Sequence, residues 1–233
     1  MSVIDIAAVP GVPETVLTQA LLDRLPGNLA PAPWTCSSEA LVWTNRGGSA
    51  ATAALQSVIG GDSGVPAVCG GMVRYTDTPV GSYDEVFGAV GFRRGLGVRG
   101  NVAFMAVDSE VSIVGGRTNW AMPKTLASFD GEISSGTTMR AANAVGPSWS
   151  VAATPRALGP AIPMFSAAVV LQRFPDGVVR HSKLQMKGRA RPALVSVDVE
   201  SDATLPQWLR PGRHLGAIIE SMTFTLGAPY EVR

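Results

Sequence analysis

Lys124 is the residue of this sequence whose type and setting point most directly to covalent chemistry. It lies in WAMPKTLASF, Trp120 to Phe129, and is one of three lysines in a chain with sixteen arginines. Its sequence neighbours include Trp120, Met122, Pro123, Leu126 and Phe129. A lysine withdrawn from water is penalised in its charged form, so its pKa falls. The neutral amine attacks ketones and aldehydes. The iminium that results is an electron sink, which lets carbon dioxide leave or yields an enamine for aldol chemistry. Arginine stays protonated and cannot do this. The competing reading is a lysine that snorkels its ammonium into water, and on composition alone that is the simpler one.

The remaining reactive residues offer less. His181 and His214 are the only histidines, and Cys36 and Cys69 the only cysteines. No HExxH or zinc-type Cys/His spacing occurs, so no metal or cofactor is expected. Acid–base work falls to carboxylates, lysine, tyrosine or water. Gly95-Leu-Gly97-Val-Arg-Gly100 spells GxGxxG, but a dinucleotide site needs that turn to open a helix. NVAFMAVD follows instead and reads as a strand. Gly61-Asp62-Ser63-Gly64 resembles a protease nucleophile loop, yet no histidine precedes Ser63, as the chymotrypsin order requires. It reads as a loop after a helix. Lys183 and Lys187 fall in an alternating arm and read as solvated surface. His181 belongs to the same arm, and His214 reads as a helix-start or packing residue. The two cysteines read as small core or near-core side chains.

The elements that must position Lys124 follow from pattern and punctuation. Val12–Arg24 predicts a helix with Pro13 in its first turn. EALVWTNR reads as a strand. Ser49 caps a helix that stops at Gly60-Gly61. PAVCGGMVRYTD, YDEVFGAVGF and NVAFMAVD are strands, and SEVSIVGGR is a short helix leading into the lysine segment. FDGEISS, TTMRAANAV, SWSVAAT, AAVVLQRF, VVRHSKLQMKGR and ALVSVDVES continue as strands, with a turn at Pro175-Asp176-Gly177. A short helix over Leu215–Glu220 and a last strand close the chain. The expected fold is α+β: one domain over 1–233, with a helical arm over 1–35 and a mainly antiparallel, curved or closed sheet.

Composition bounds the partners. The 233 residues are 46% hydrophobic and 16% charged, with a net charge of +1. That argues against disorder and against nucleic acid. No apolar run is long enough to span a bilayer. The opening MSVIDIAAVPGVPETV has no basic n-region and is not read as a secretory signal. A cytoplasmic protein acting on a small molecule is expected.

Gly116-Arg117-Thr118-Asn119-Trp120-Ala121-Met122-Pro123-Lys124-Thr125-Leu126 resembles the active-site segment of the acetoacetate decarboxylase superfamily. That segment runs Gly-Arg-Glu, a spacer with an aromatic, then Pro-Lys-Lys-Leu. Its first lysine forms the Schiff base and corresponds to Lys124. Tyr83-Asp84-Glu85 resembles the family's Tyr-x-Glu, which carries a pocket carboxylate onto Glu85. GAIIESMTFTLGAPYEV resembles its closing helix and strand. There are departures. Thr125 replaces the second lysine, the cation held to depress the nucleophile's pKa, and Thr118 replaces a glutamate. A further acidic position falls on Gly70, and an arginine position falls near Ser37-Ser38.

The resemblance implies a Schiff-base lyase on a small oxo acid or related carbonyl compound. Aldol condensation with dehydration comes slightly ahead of decarboxylation, and a non-catalytic carbonyl-binding protein is the alternative of another class. Lys124 is then the nucleophile, activated by desolvation. Glu85 is the general acid–base, protonated part of the time or held at a distance. Trp120 and Met122 shape the pocket, and Arg74 and Tyr83 hold the substrate's carboxylate or oxygens. The family tends to assemble, so a homo-oligomer is expected by analogy.

Overall fold

The computed structural model describes residues 4–59, 67–94 and 97–231. Ten strands account for most of it: β1 (Trp34–Arg46), β2 (Ala67–Asp77), β3 (Tyr83–Arg94), β4 (Gly97–Val107), β5 (Lys124–Gly131), β6 (Met139–Asn143), β7 (Trp149–Ala157), β8 (Ile162–Arg173), β9 (Val179–Ser201) and β10 (Gly212–Leu226). The helices are α1 (Gln19–Leu22), α2 (Gly48–Val58), α3 (Glu110–Trp120) and α4 (Leu205–Trp208). Among the described residues, no helix is long and apolar enough to cross a membrane.

The strands form one sheet in the order β10-β1-β2-β3-β4-β5-β6-β7-β9-β8. It is closed by two further pairings, β10 with β9 and β4 with β8. The expected α+β class with a closed, mainly antiparallel sheet is therefore observed. The pairings β4–β5 and β4–β8 are parallel. A parallel neighbour needs a crossover, and α3 is the crossover from β4 to β5. Alternation sends the side chains of β1 to β4 into two different cores. Leu41, Trp43 and Met72 enter one core; Trp34, Cys36, Val73 and Tyr75 enter the other.

Several expectations are corrected. The helix over Val12–Arg24 does not form as a unit. Pro13–Thr15 makes a single 3-10 turn, and the chain then extends until Thr18 caps α1 through its hydroxyl. Glu14 is diverted to tertiary contacts: its carboxylate accepts from the backbone N–H of Leu205 and the hydroxyls of Ser201 and Thr204. That carboxylate caps α4, a helix the sequence reading missed although Pro206 stands in its first turn. The helix expected at Leu215–Glu220 is instead part of β10. Paired to β1 on one side and β9 on the other, those residues satisfy their backbone in the sheet, and tertiary pairing overrides local preference. His214 therefore lies in a strand, its ring donating to the Arg210 carbonyl at 2.8 Å. The arm and the following ALVSVDVES form the single strand β9, with Lys183 and Lys187 exposed as expected. Gly61-Asp62-Ser63-Gly64, Gly95 and Leu96 lie outside the described residues, and the segment after them is strand β4.

Gln172 completes the closure. The β4–β8 pairing extends over only two register positions. Beyond it, the Gln172 amide acts as a substitute rung, accepting from Val102 N–H at 3.0 Å and donating to Val102 C=O at 3.0 Å. It also donates to the carbonyl of Ala121 at 3.1 Å. Ala121 ends α3 in the left-handed conformation, φ 53°. The same side chain thus joins two strands and fixes the exit of the helix before Lys124. Gln172→Leu should lower unfolding free energy by about 2–4 kcal/mol, because several buried backbone groups lose partners. Denaturant titration would measure it; a change under about 0.5 kcal/mol would refute this role.

Candidate active site

Lys124 is the first residue of β5, four residues after Trp120, the last residue of α3. Its place is set by three backbone bonds and one buried arginine. Ala121 N–H bonds to Arg117 C=O at 3.1 Å, Met122 N–H to Gly116 C=O at 3.1 Å, and Lys124 N–H to Met122 C=O at 2.7 Å. Arg117 is 1% exposed and has only carbonyls as partners: Lys124 at 2.6 Å, Ile6 at 2.7 Å and Thr15 at 2.6 Å. Burial without a counter-ion pushes its guanidinium down to about 10. The arginine of the Gly-Arg motif thus holds the main chain of the lysine rather than any ligand.

The lysine side chain lies across α3. A Cβ on Gly116 would meet Lys124 Cδ at 2.6 Å and Cε at 2.7 Å, and one on Gly115 would meet the Trp34 ring at 2.5 Å. The glycine pair is therefore a saddle for two side chains. One turn earlier on the same helix face, Ser112 Oγ accepts from Lys124 Nζ at 2.9 Å.

β3 supplies the opposing groups. Tyr83 and Glu85 are two residues apart and so share a face. Lys124 Nζ donates to Glu85 Oε2 at 2.8 Å and to the Tyr83 hydroxyl at 3.3 Å, and sits 4.9 Å from the Tyr83 ring centroid. Lys124 is 4% exposed and Glu85 3%. Tyr75 is paired with Tyr83 across the β2–β3 hairpin and donates to Glu85 Oε1 at 3.0 Å. Beside this network is a cavity of about 60 Å³ walled by Trp34, Cys36, Met105, Trp120, Met122 and Phe224, among others. That is room for a few waters or a small organic molecule.

The electrostatics correct one expectation. Burial alone would lower the Lys124 amine, but the Glu85 carboxylate and the Tyr83 hydroxyl outweigh it and hold the amine above its ordinary value. The resting residue is an ammonium in a buried ion pair, not a desolvated free amine. Burial likewise pushes the Tyr83 phenol up to about 12, so it remains a proton donor at neutral pH. The Cys36 thiol also rises to about 12 by burial.

Of the expected residues, Lys124, Glu85, Tyr83, Trp120 and Met122 all meet at the cavity. Arg74 does not. Alternation turns it to the other face of β2, where its guanidinium pairs with Asp84 at 2.9 Å and donates to the Gly131 carbonyl at 3.1 Å. The positions where the sequence departs from its resemblance also lie off the cavity. Thr125 points away from Lys124 along the strand and is fully buried, so a cation there would not face the amine. A side chain at Gly70 would strike Trp43, its Cβ 2.4 Å from the ring. Thr118, Ser37 and Ser38 line outer grooves.

Tyr75 and Ser112 escaped the sequence reading. Counting back from Tyr83 through the Thr78–Gly81 turn would have found Tyr75. The four-residue step from Ser112 to Gly116 was the signal for Ser112. Among the described residues, no group of three His, Cys, Asp or Glu could hold a metal ion.

Comparison with known proteins bears on the family and the fold. The family model described as acetoacetate decarboxylase (ADC) matches residues 54–189. No curated protein matches the sequence. Among solved structures, one described as acetoacetate decarboxylase is 13% identical, with 93% of this chain and 98% of that one covered at a TM-score of 0.61. Acetoacetate decarboxylase from Legionella pneumophila is 17% identical, with 91% and 95% covered at 0.58. The enduracididine biosynthesis enzyme MppR complexed with pyruvate is 16% identical, with 87% and 91% covered at 0.57.

The ion pair predicts a pH signature. Lys124 has a folded pKa above its ordinary 10.5. Its contribution to stability is therefore complete below about pH 10.5 and is lost only as pH rises through the higher folded value. Glu85→Gln should lower stability at pH 7 by roughly 3 kcal/mol, because a buried charge loses its partner. The deficit should shrink at a pH where the amine of the variant is neutral. A deficit that stays constant between pH 7 and 10 would contradict the pairing. Gly116→Ala, in turn, should leave the fold intact by circular dichroism while displacing the Lys124 side chain. Its amine should then label at a rate changed by about tenfold or more, and unchanged labelling would argue against the saddle.

Proposed function

Because the chain belongs to the acetoacetate decarboxylase family, we propose that it is a Schiff-base lyase acting on a small carbonyl compound. Lys124 is the nucleophile and Glu85 the acid–base group. The observation that carries this reading is the 2.8 Å contact between Lys124 Nζ and Glu85 Oε2 at the edge of a small, mostly apolar cavity.

A substrate that displaces water lowers the local dielectric, which favours the neutral pair over the ion pair. Glu85 then takes a proton from the Lys124 ammonium, and the free amine attacks the carbonyl carbon. Tyr83 donates a hydrogen bond to the developing carbinolamine oxygen. Glu85 returns its proton to that oxygen and then relays a second proton to it from the nitrogen, so that water leaves and a protonated imine remains beside the carboxylate. Glu85 next removes a proton from the carbon alpha to the iminium, giving an enamine for carbon–carbon bond making or breaking or for loss of a β-hydroxyl as water. Tyr75 keeps Oε1 occupied throughout, which leaves Oε2 for transfer. Trp120 and Met122 shape the space for the substrate.

Aldol and dehydration chemistry needs only these groups. Decarboxylation is the second reading, favoured by the family description and the decarboxylase neighbours. The pyruvate of MppR supports a small carbonyl ligand in either case.

Borohydride reduction in the presence of a panel of small aldehydes, ketones and oxo acids should add one ligand mass at Lys124. Lys124→Ala should abolish it. Absence of any adduct would sink the Schiff-base reading. An adduct without turnover of any panel member would indicate a carbonyl-binding protein instead. Carbon dioxide release from acetoacetate would favour the second reading.

A further inference from the structure

We propose that the cavity selects an uncharged aldehyde or ketone bearing a small apolar group, and discriminates against oxo acid anions. The inference rests on the Schiff-base reading and narrows its substrate class.

The first argument is the absence of a seat for a carboxylate. Among the described residues lining the cavity, Lys124 is the only cation, and it is the reacting group. The Arg117 guanidinium, which holds the Lys124 carbonyl, is committed to three backbone carbonyls. Arg74 is turned outward onto Asp84.

Neutral donors are engaged as well. The Trp34 indole N–H is given to Ala30 C=O at 2.9 Å, and that of Trp120 to Gly227 C=O at 2.8 Å. The Tyr75 hydroxyl is given to Glu85. A carboxylate entering here would meet aromatic rings, Met105, Met122 and Leu226. With the Tyr83 hydroxyl given to the reacting carbonyl oxygen, it would lose its hydration with little to replace those hydrogen bonds.

The second argument is charge balance. The resting pair sums to zero: one ammonium and one carboxylate. A neutral ketone and the Lys124 ammonium condense to a protonated imine, and the carbonyl oxygen leaves with two of the ammonium protons as water. The cation is retained, Glu85 is again a carboxylate, and no proton crosses the cavity wall. The enamine step moves one proton from the alpha carbon to Glu85 and leaves two neutral groups. Each resting point therefore carries no net charge. An oxo acid anion would put a net negative charge into the same enclosure at every stage, unless a further proton entered from solvent.

The test is a matched pair. Pyruvate and 3-methyl-2-butanone have similar shape, a carboxylate in one replaced by an isopropyl group in the other. Each is reduced onto the protein with borohydride, and the yield at Lys124 is divided by that for the amine of free N-acetyl-lysine under the same conditions. The division removes the greater intrinsic electrophilicity of pyruvate. The neutral ketone should exceed pyruvate by about tenfold or more after this correction. Equal yields, or pyruvate ahead, overturn the inference while leaving the Schiff base standing. No adduct from either, or from the panel above, brings down the Schiff-base reading itself and this inference with it. Glu85→Gln provides a second readout, because it removes the anion and leaves the iminium with no protein counter-charge. In that variant the ratio should move toward pyruvate by about tenfold or more, and an unmoved ratio would count against the charge argument.

Discussion

A buried ammonium and a buried carboxylate 2.8 Å apart set the terms for this site and its surroundings. Neither charge is tolerable there alone, since desolvation costs several kcal/mol per ion. Together they are held by groups that satisfy the remaining positions: Ser112 and Tyr83 on the amine, Tyr75 on the carboxylate. The parallel β4–α3–β5 unit brings the lysine in from one side, and the β2–β3 hairpin brings the glutamate from the other. Gly116 lets the lysine stem cross the helix, and Arg117 holds its backbone. The closed sheet is what fixes these two pieces against each other.

On the proposed reading, the pair also gives an amine a route to nucleophilic attack without a neighbouring cation. A second positive charge lowers an amine's pKa by repulsion. Here the Glu85 carboxylate is in contact, so on that reading the proton has a receiver within hydrogen-bond reach and the resting pKa is not the deciding quantity. The deciding quantity is the balance between ion pair and neutral pair once a ligand has expelled water. That same balance underlies the proposed preference for neutral ligands.

The sequence carried much of this, and unevenly. Proline, lysine and the flanking apolar residues around 124 marked the lysine that the structure buries beside the cavity, and a two-residue step on a strand was enough to place Tyr83 and Glu85 on one face. Strands β2 to β4 were plain in their apolar alternation. Arg74 was misplaced because the type of residue was weighed without its parity: one residue from Tyr75, it had to point the other way. The segment at Leu215–Glu220 was misread because its local pattern suits a helix, whereas two long-range strand pairings decide its state. Val12–Arg24 failed for a related reason. Thr18 was a cap hidden inside an apparent helix, and Glu14 had a tertiary task near α4. Tyr75 and Ser112 are neutral residues whose roles exist only once distant elements meet.

The central claim is that Lys124 rests as an ammonium stabilised by Glu85 and gives up its proton only to that carboxylate. With three lysines in the chain, selective carbon-13 labelling at the lysine ε position yields three resonances, and Lys124→Ala assigns the one that matters. The account predicts that this resonance keeps its ammonium shift from pH 6 to about pH 10, and that Glu85→Gln brings its titration down to lower pH. A wild-type Lys124 that titrates near neutrality would contradict it, and would return the activation of the nucleophile to burial alone.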